Sequence, residues 1–388
     1  MMRKCGPWRA PLLLHLVLSA AAAAAASPVV PALFILGDSS VNCGDNTFLR
    51  FLFRDGGDDP SYSHSCLRPH AHLVPDLLAE KMGLPKIPPF YAGNGTIQGL
   101  LSGLNFGSSK ATILNTPPAN INGTTTTTTS SSIFGFQALN QQLRQAIETF
   151  QMLQLQLGLQ NARRFIQSSV FYLSLGKDDY INLFFPNHRH HSSSAAAAFA
   201  RILVNQITQA IKDLYNANAR KIICVGIGPL GCAPRSLWEA YDSTTKISGG
   251  NYCVKEMNEV ILEYNAILSQ HLYNLSLELS DAQIIFCDVY QGMMEIITRH
   301  ALHGFSNVNK ACCGFGPYGG MVGCLSKAMS CDAPSAHVWW DFYEPTDAVN
   351  SLLADWAWTG QPFDICQPMS IGDVCSPNNR VKDEQGLF

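Results

Sequence analysis

Short apolar runs alternate with longer amphipathic stretches along this chain. Pro31–Leu36 reads as a buried strand, and Gly103–Gly107, Ser169–Leu175, Lys221–Ile227 and Gln283–Val289 are four further candidate strands. Between them apolar residues recur at three- and four-residue spacing, which is the period of one face of an α-helix. Leu139, Leu143, Ile147 and Phe150 form one such stripe. Ile202, Gln206, Ala210 and Leu214 form a second, with Leu203, Ile207 and Ile211 beside them. Val260, Tyr264, Ile267 and Leu268 form a third. Pro345–Trp356 reads as a final helix with proline in its first turn. Strand–helix–strand alternation predicts a mostly parallel central sheet with helices on both faces, a three-layer α/β/α sandwich. Ligands of such sheets bind beyond the carboxyl ends of the strands.

Two polar stretches interrupt the pattern. The Thr/Ser run Thr124–Ser132 predicts a solvated loop. His188-Arg189-His190-His191 and the serines after it predict another. Three histidines in four residues are a conceivable metal ligand set, but no carboxylate or cysteine accompanies them, which favours a surface loop. No internal repeat or linker divides the chain, so residues 27–388 are expected to form one domain.

The N-terminus changes the picture. Three basic residues precede a mostly apolar Leu12–Leu18 and an alanine run at Ala20–Ala26. That is the layout of a secretory signal peptide, residues 1–26, with cleavage expected before Ser27. Its apolar core is short for a membrane span, and no later segment is long and apolar enough, so no transmembrane anchor is expected. The chain has 13 cysteines. Cys5 falls in the leader, and the remainder is even, so disulfides are the expected state of an exported chain. Cys312, Cys313, Cys324 and Cys331 cluster, while Cys366 and Cys375 lie near the C-terminus. Zinc is the competing reading, disfavoured because paired Cys-x-x-Cys motifs are missing. Asn94, Asn122 and Asn274 each begin an Asn-x-Ser/Thr glycosylation pattern, the last within a predicted helix. Net charge is −3, which gives no reason to expect a nucleic-acid partner.

The chemistry begins where the first strand runs into Gly37-Asp38-Ser39. A serine hydrolase needs a nucleophile, a base, a group orienting the base and donors for the oxyanion. Three common residues are a weak signal alone, and a plain strand-to-helix turn reads the same way. Further blocks add to it: Gly228-Pro229-Leu230-Gly231-Cys232-Ala233-Pro234, Ala311-Cys312-Cys313-Gly314 and Trp340-Asp341-Phe342-Tyr343-Glu344-Pro345-Thr346. In order and content these resemble the motifs of the plant GDSL esterase/lipases, members of the SGNH hydrolase superfamily. The resemblance spans essentially the whole mature chain. It implies an α/β/α sandwich, export to the extracellular space or cell wall, and hydrolysis of ester-containing lipids or acylated polysaccharides by a serine. It implies no cofactor and no metal.

Carried over by position, the resemblance makes Ser39 the nucleophile, with its N–H also serving the oxyanion, and Asp341 the acid that orients the base. Ser40 stands where leucine is usual. Three departures touch the chemistry. In Asn105-Phe106-Gly107-Ser108-Ser109, Ser109 takes the place of the oxyanion glycine. In Gly176-Lys177-Asp178-Asp179-Tyr180, Asp178 takes the place of the oxyanion asparagine. Glu344 takes the place of the base histidine. The usual G-R-F-S-N-G segment is unrecognisable around Cys66–His72.

Ser109 still offers an N–H if its turn needs no positive φ. An ionised Asp178 only accepts hydrogen bonds, and losing one oxyanion donor raises a barrier by about 2.7–4 kcal/mol. A glutamate, with a pKa near about 4.3, is a far weaker base than an imidazole near about 6.5. Beside Asp341, Glu344 is expected to hold its proton. Loss of a triad histidine lowers the rate by about 10⁶ in subtilisin. No spacing places His337, His64, His70 or His72 on Ser39 as a substitute base. Two functions follow: an ester hydrolase with an altered site, or a non-catalytic relative whose cleft binds a lipid, an acylated polymer or a protein. The substituted blocks favour the second. A carbohydrate-binding module built on Trp339-Trp340 is a third reading, which core packing of these aromatics outweighs.

Overall fold

In the computed structural model, β1 (Leu33–Gly37), β2 (Val170–Ser174), β3 (Lys221–Val225) and β4 (Gln283–Cys287) pair in parallel in that order. Two later strands, β5 (Asn307–Ala311) and β6 (His337–Trp339), form a separate parallel pair. β7 (Cys366–Gln367) returns to the main sheet, antiparallel to β4. The structure describes residues 28–42, 62–63, 68–69, 72–90, 96–109, 111–114, 138–186, 193–242 and 253–376. The leader, Cys43, Cys66, His64, His70, Asn94, Asn122, Thr124–Ser132 and His188–His191 lie outside them.

The strands are apolar throughout because both faces are covered. Side chains alternate across a strand, so each strand feeds two cores. Phe34, Leu36, Phe171, Leu173, Ile222 and Ile284 pack on one side. There they meet the long helices α2 (Leu139–Leu157), α4 (Ser193–Asn216) and α6 (Lys255–Glu278). Leu33, Ile35, Val170, Ile223 and Ile285 pack on the other. There they meet α1 (Val74–Lys81), α7 (Val289–Thr298) and α8 (Asp347–Thr359). Two further helices, α3 (Leu159–Ser168) and α5 (Pro234–Asp242), flank this frame. Full burial of each large apolar side chain contributes about 1.5–3 kcal/mol. The three-layer α/β/α sandwich read from the periodicity is therefore present.

Two expected elements differ. Gly103–Gly107 is not a regular strand, although it runs beside β1. Ile35 donates to Leu104 (2.9 Å) and Phe106 donates back to Ile35 (2.8 Å), with an isolated bridge at Asn105. The backbone of this segment alternates bonds with β1 from Ser102 to Ser108, and the Asn105 side chain bonds Val41 O (2.9 Å) and Gly107 N (2.8 Å). The last helix begins at Asp347 rather than Pro345. Pro345 bridges Trp339, and Thr346 is held to β6 through Val338 O and His337 O.

Four disulfides join described cysteines: Cys232–Cys253, Cys287–Cys366, Cys312–Cys331 and Cys313–Cys324. The clustered cysteines are thus bonded to one another in pairs. Cys224 and Cys375 are buried and free, so the even count does not translate into complete pairing. Trp339 and Trp340 are both buried, as core packing requires.

Cys287–Cys366 ties β7 to β4 across 79 residues of chain. Replacing both cysteines by serine should lower stability by about 2–5 kcal/mol through release of the unfolded chain. Thermal denaturation measures this, and an unchanged midpoint would remove any stabilising role for the bond.

Candidate active site

The turn after β1 is clamped from three directions. Gln142, fully buried on α2, donates to Gly37 O and accepts from Gly37 N, both at 2.9 Å. A Cβ on Gly37 would stand 2.3 Å from Val41 and 2.7 Å from the Ser174 carbonyl, so only glycine fits. Asp38 has no solvent exposure. Its carboxylate accepts from Ser40 N (2.9 Å) and Asp178 N (3.3 Å), which ties the β1 turn to the β2 turn.

The β2 turn starts at Gly176, whose φ of +109° lies in the left-handed region. Its neighbour Tyr264 also leaves no space for a Cβ, which would meet the phenol oxygen at 2.9 Å. The chain then turns into Lys177-Asp178-Asp179 at the carboxyl end of the sheet. All three side chains are buried. Asp179 accepts from Ile113 N (2.9 Å) and Leu114 N (3.4 Å) and so anchors the 111–114 segment.

Ser39 lies against Asp178. Its hydroxyl donates to Oδ1 at 2.7 Å and its backbone N–H donates to Oδ2 at 3.1 Å. Glu344 forms an ion pair with Lys177 rather than pairing with the Asp341 carboxyl, with both side chains nearly buried. Asp341 instead shapes the loop that carries Glu344, accepting from Tyr343 N (3.3 Å) and Glu344 N (3.1 Å). Ser109 is half-buried and does not have a positive φ, so serine suits its turn.

The electrostatics of this cluster follow from burial. Burial, and then the neighbouring Asp38, push Asp178 up to about 7. Burial thus works against an ionised Asp178. Burial pushes Asp179 up to about 8, against the two N–H groups it accepts. It raises Asp38 as well, against the pull of Lys177. Burial works against the charge on Lys177, yet Glu344, Asp178 and Asp38 outweigh it and hold the ammonium above the ordinary lysine value. Lys177 was passed over in the sequence because it occupies the variable position of its block. Its signal was the charge, a lysine in one motif complementing a glutamate in another.

Among the described residues Ser39 bonds no histidine. His72 lies by Glu80, and His337 bonds the Ala333 carbonyl (3.1 Å). The described residues contain one group of three side chains able to ligate a metal, Cys312, Cys331 and His337, and two of these are joined as a disulfide. No helix of the described residues is long and apolar enough to cross a membrane.

A strand ending in a serine turn, beside a second turn carrying an acid and a late Trp-Asp loop, defines a serine-hydrolase scaffold of the α/β/α type. The family profile described as GDSL-like Lipase/Acylhydrolase matches residues 33–357. Three curated GDSL esterase/lipases of Arabidopsis thaliana match over most of their length. One is 30% identical over 341 residues, covering 86% of each chain. A second is 27% identical over 355 residues, covering 90% of this chain and 87% of the relative. GDSL esterase/lipase 7 is 29% identical over 340 residues, covering 84% and 87%. This chain belongs to the GDSL lipase/acylhydrolase family, whose reaction is ester hydrolysis. Among solved structures, an α/β hydrolase from a lake metagenome superposes with a TM-score of 0.32 at 10% identity, over 84% of this chain and 92% of that one, a likeness too slight to bear on the fold.

The raised carboxyls make stability depend on pH. Asp178 and Asp179 titrate near about 7 and 8 in the folded chain against 3.8 when free, so the folded state binds more protons in that window. Stability should fall as pH rises from about 4 to about 8. Asp178→Asn removes one contribution, so it should raise the melting temperature more at about pH 8 than at about pH 5. Equal shifts at both pH values would contradict the raised titration. Lys177→Met leaves the buried Glu344 without its cation and removes the counter-charge of Asp38 and Asp178, and it should cost about 3–5 kcal/mol in chemical denaturation. Glu344→Ala leaves Lys177 balanced by Asp38 and Asp178 and should cost clearly less, and the reverse ranking would dismiss this role of Lys177.

Proposed function

We propose that this chain is an exported, non-catalytic member of the GDSL family that uses its cleft to bind rather than to hydrolyse. The supporting observation is the pair of hydrogen bonds from Ser39 to Asp178. The carboxyl group takes the hydroxyl proton that a triad base would draw. It also takes the N–H that an oxyanion would need. Glu344, at the position of the base, is turned to Lys177. Export rests on the leader sequence and the disulfides, and Asn274, exposed on α6, is a suitable glycan acceptor.

One observation favours a second reading, an altered hydrolase. Asp178 is itself a carboxyl group 2.7 Å from the Ser39 hydroxyl, pushed up to about 7, which places a base within proton-transfer distance. Its weakness is geometric, since the same carboxylate fills the oxyanion donor.

The test is hydrolysis of p-nitrophenyl butyrate and octanoate by the secreted protein across the pH range, against Ser39→Ala. No release above the Ser39→Ala background is expected. Ser39-dependent release would overturn the non-catalytic reading. If that release rose as pH passed about 7 and vanished in Asp178→Asn, Asp178 would be the base. Ser39-dependent activity gained only in Asp178→Asn with Glu344→His would support a scaffold whose chemistry was removed by those two positions.

A further inference from the structure

A cavity of about 80 Å³ lies behind the Gly-Asp-Ser turn, and neither Ser39 nor Asp178 lines it. Ser40 does. While Ser39 engages Asp178, Ser40 points to the other side and shares a 2.7 Å hydrogen bond with the Ser174 hydroxyl. Its own hydroxyl also lies 3.2 Å from the Ser174 carbonyl. A leucine here would extend into the space that Ser40 leaves open.

The cavity has a polar end and an apolar wall. Tyr172 stands two residues before Ser174 on the same face of β2 and is 3% exposed. Its hydroxyl has no hydrogen-bonding partner among the described residues, and the side chain lines the cavity. Buried phenols nearly always find a partner, so an open one facing a cavity points to a ligand group that accepts a hydrogen bond. Burial raises the Tyr172 titration above the ordinary tyrosine value, so the phenol remains a donor. The Ser40–Ser174 pair retains lone pairs that accept. Opposite this end, Val225, Met293, Trp339 and Leu353 supply apolar surface.

Charge narrows the ligand further. Asp38, Lys177 and Glu344 face the cavity from the β1 turn, the β2 turn and the Trp-Asp loop. Lys177 is already engaged by Glu344, so an added carboxylate would meet Asp38 and Glu344 without a free counter-charge. An added ammonium would be drawn by Asp38 and Glu344 but repelled by Lys177, and it carries no lone pair to accept from the Tyr172 hydroxyl. A neutral group that both donates and accepts fits all of these neighbours.

We infer that this cavity is a binding site for a small neutral alcohol, its hydroxyl between Tyr172 and the Ser40–Ser174 pair and its alkyl chain along the apolar wall. The inference rests on the binding reading above and names the chemical class that the cleft takes.

The experiment is isothermal titration of the secreted full-length protein with 1-hexanol, sodium hexanoate and hexylamine. Saturable binding of 1-hexanol alone is expected. Ser40→Leu fills the space and should abolish it. Tyr172→Phe keeps the shape and removes one hydrogen bond, so it should weaken binding about threefold to tenfold. Circular dichroism and melting temperature report whether each variant is folded. No binding of 1-hexanol by the wild type would overturn the site. Equal binding of hexanoate or hexylamine would overturn its ligand class, and unchanged affinity in both variants would overturn its location. p-Nitrophenyl butyrate hydrolysis by the same preparations separates the two levels. Ser39-dependent release there overturns the non-catalytic reading, whereas lost 1-hexanol binding overturns the cavity assignment alone.

Discussion

One buried ammonium group holds the carboxyl end of the sheet in order. Asp38, Asp178 and Glu344 come from three separate loops, and the charge of Lys177 acts on all of them. Three acids packed this closely would repel, and burial would push each toward its neutral form. Lys177 relieves that repulsion, and the left-handed Gly176 before it sets the course of the turn. The β1 turn, the β2 turn and the Trp-Asp loop are therefore coupled electrostatically as well as by packing.

That coupling extends to the bonding of each loop. Without Lys177, Glu344 would be a buried acid lacking its partner. Asp178 has the shape of an asparagine side chain but a different direction of bonding. An asparagine would offer an N–H to an incoming oxyanion, whereas the carboxylate takes an N–H from Ser39. The site is thereby satisfied internally. Its polar groups find partners in one another, which is the opposite of the open, preorganised donor set that stabilises a developing charge.

Much of the fold could be read from the chain because burial on both sheet faces writes long apolar runs, and helix faces write their own period. All four parallel strands and the long helices α2, α4 and α6 appear near their expected places. Gly103–Gly107 keeps a strand's hydrogen-bonding partners on β1 without its regularity, a distinction that period alone does not reveal. Ser39, Asp178, Asp341 and Glu344 stand out by their place in the motifs, but their partners do not. Which acid Lys177 would choose, and that Asp341 would bond backbone rather than the Glu344 side chain, depends on loop geometry that no spacing encodes. The open phenol of Tyr172 was invisible for the same reason, since a tyrosine in an apolar strand reads as core.

The Lys177–Glu344 pair also bears on how such a site could change over time. Losing Lys177 alone leaves Glu344 a buried charge without its partner, and stability suffers. A change at position 177 therefore begins with a step downhill in folding. The present arrangement is a local trap in sequence space, maintained by the need to fold.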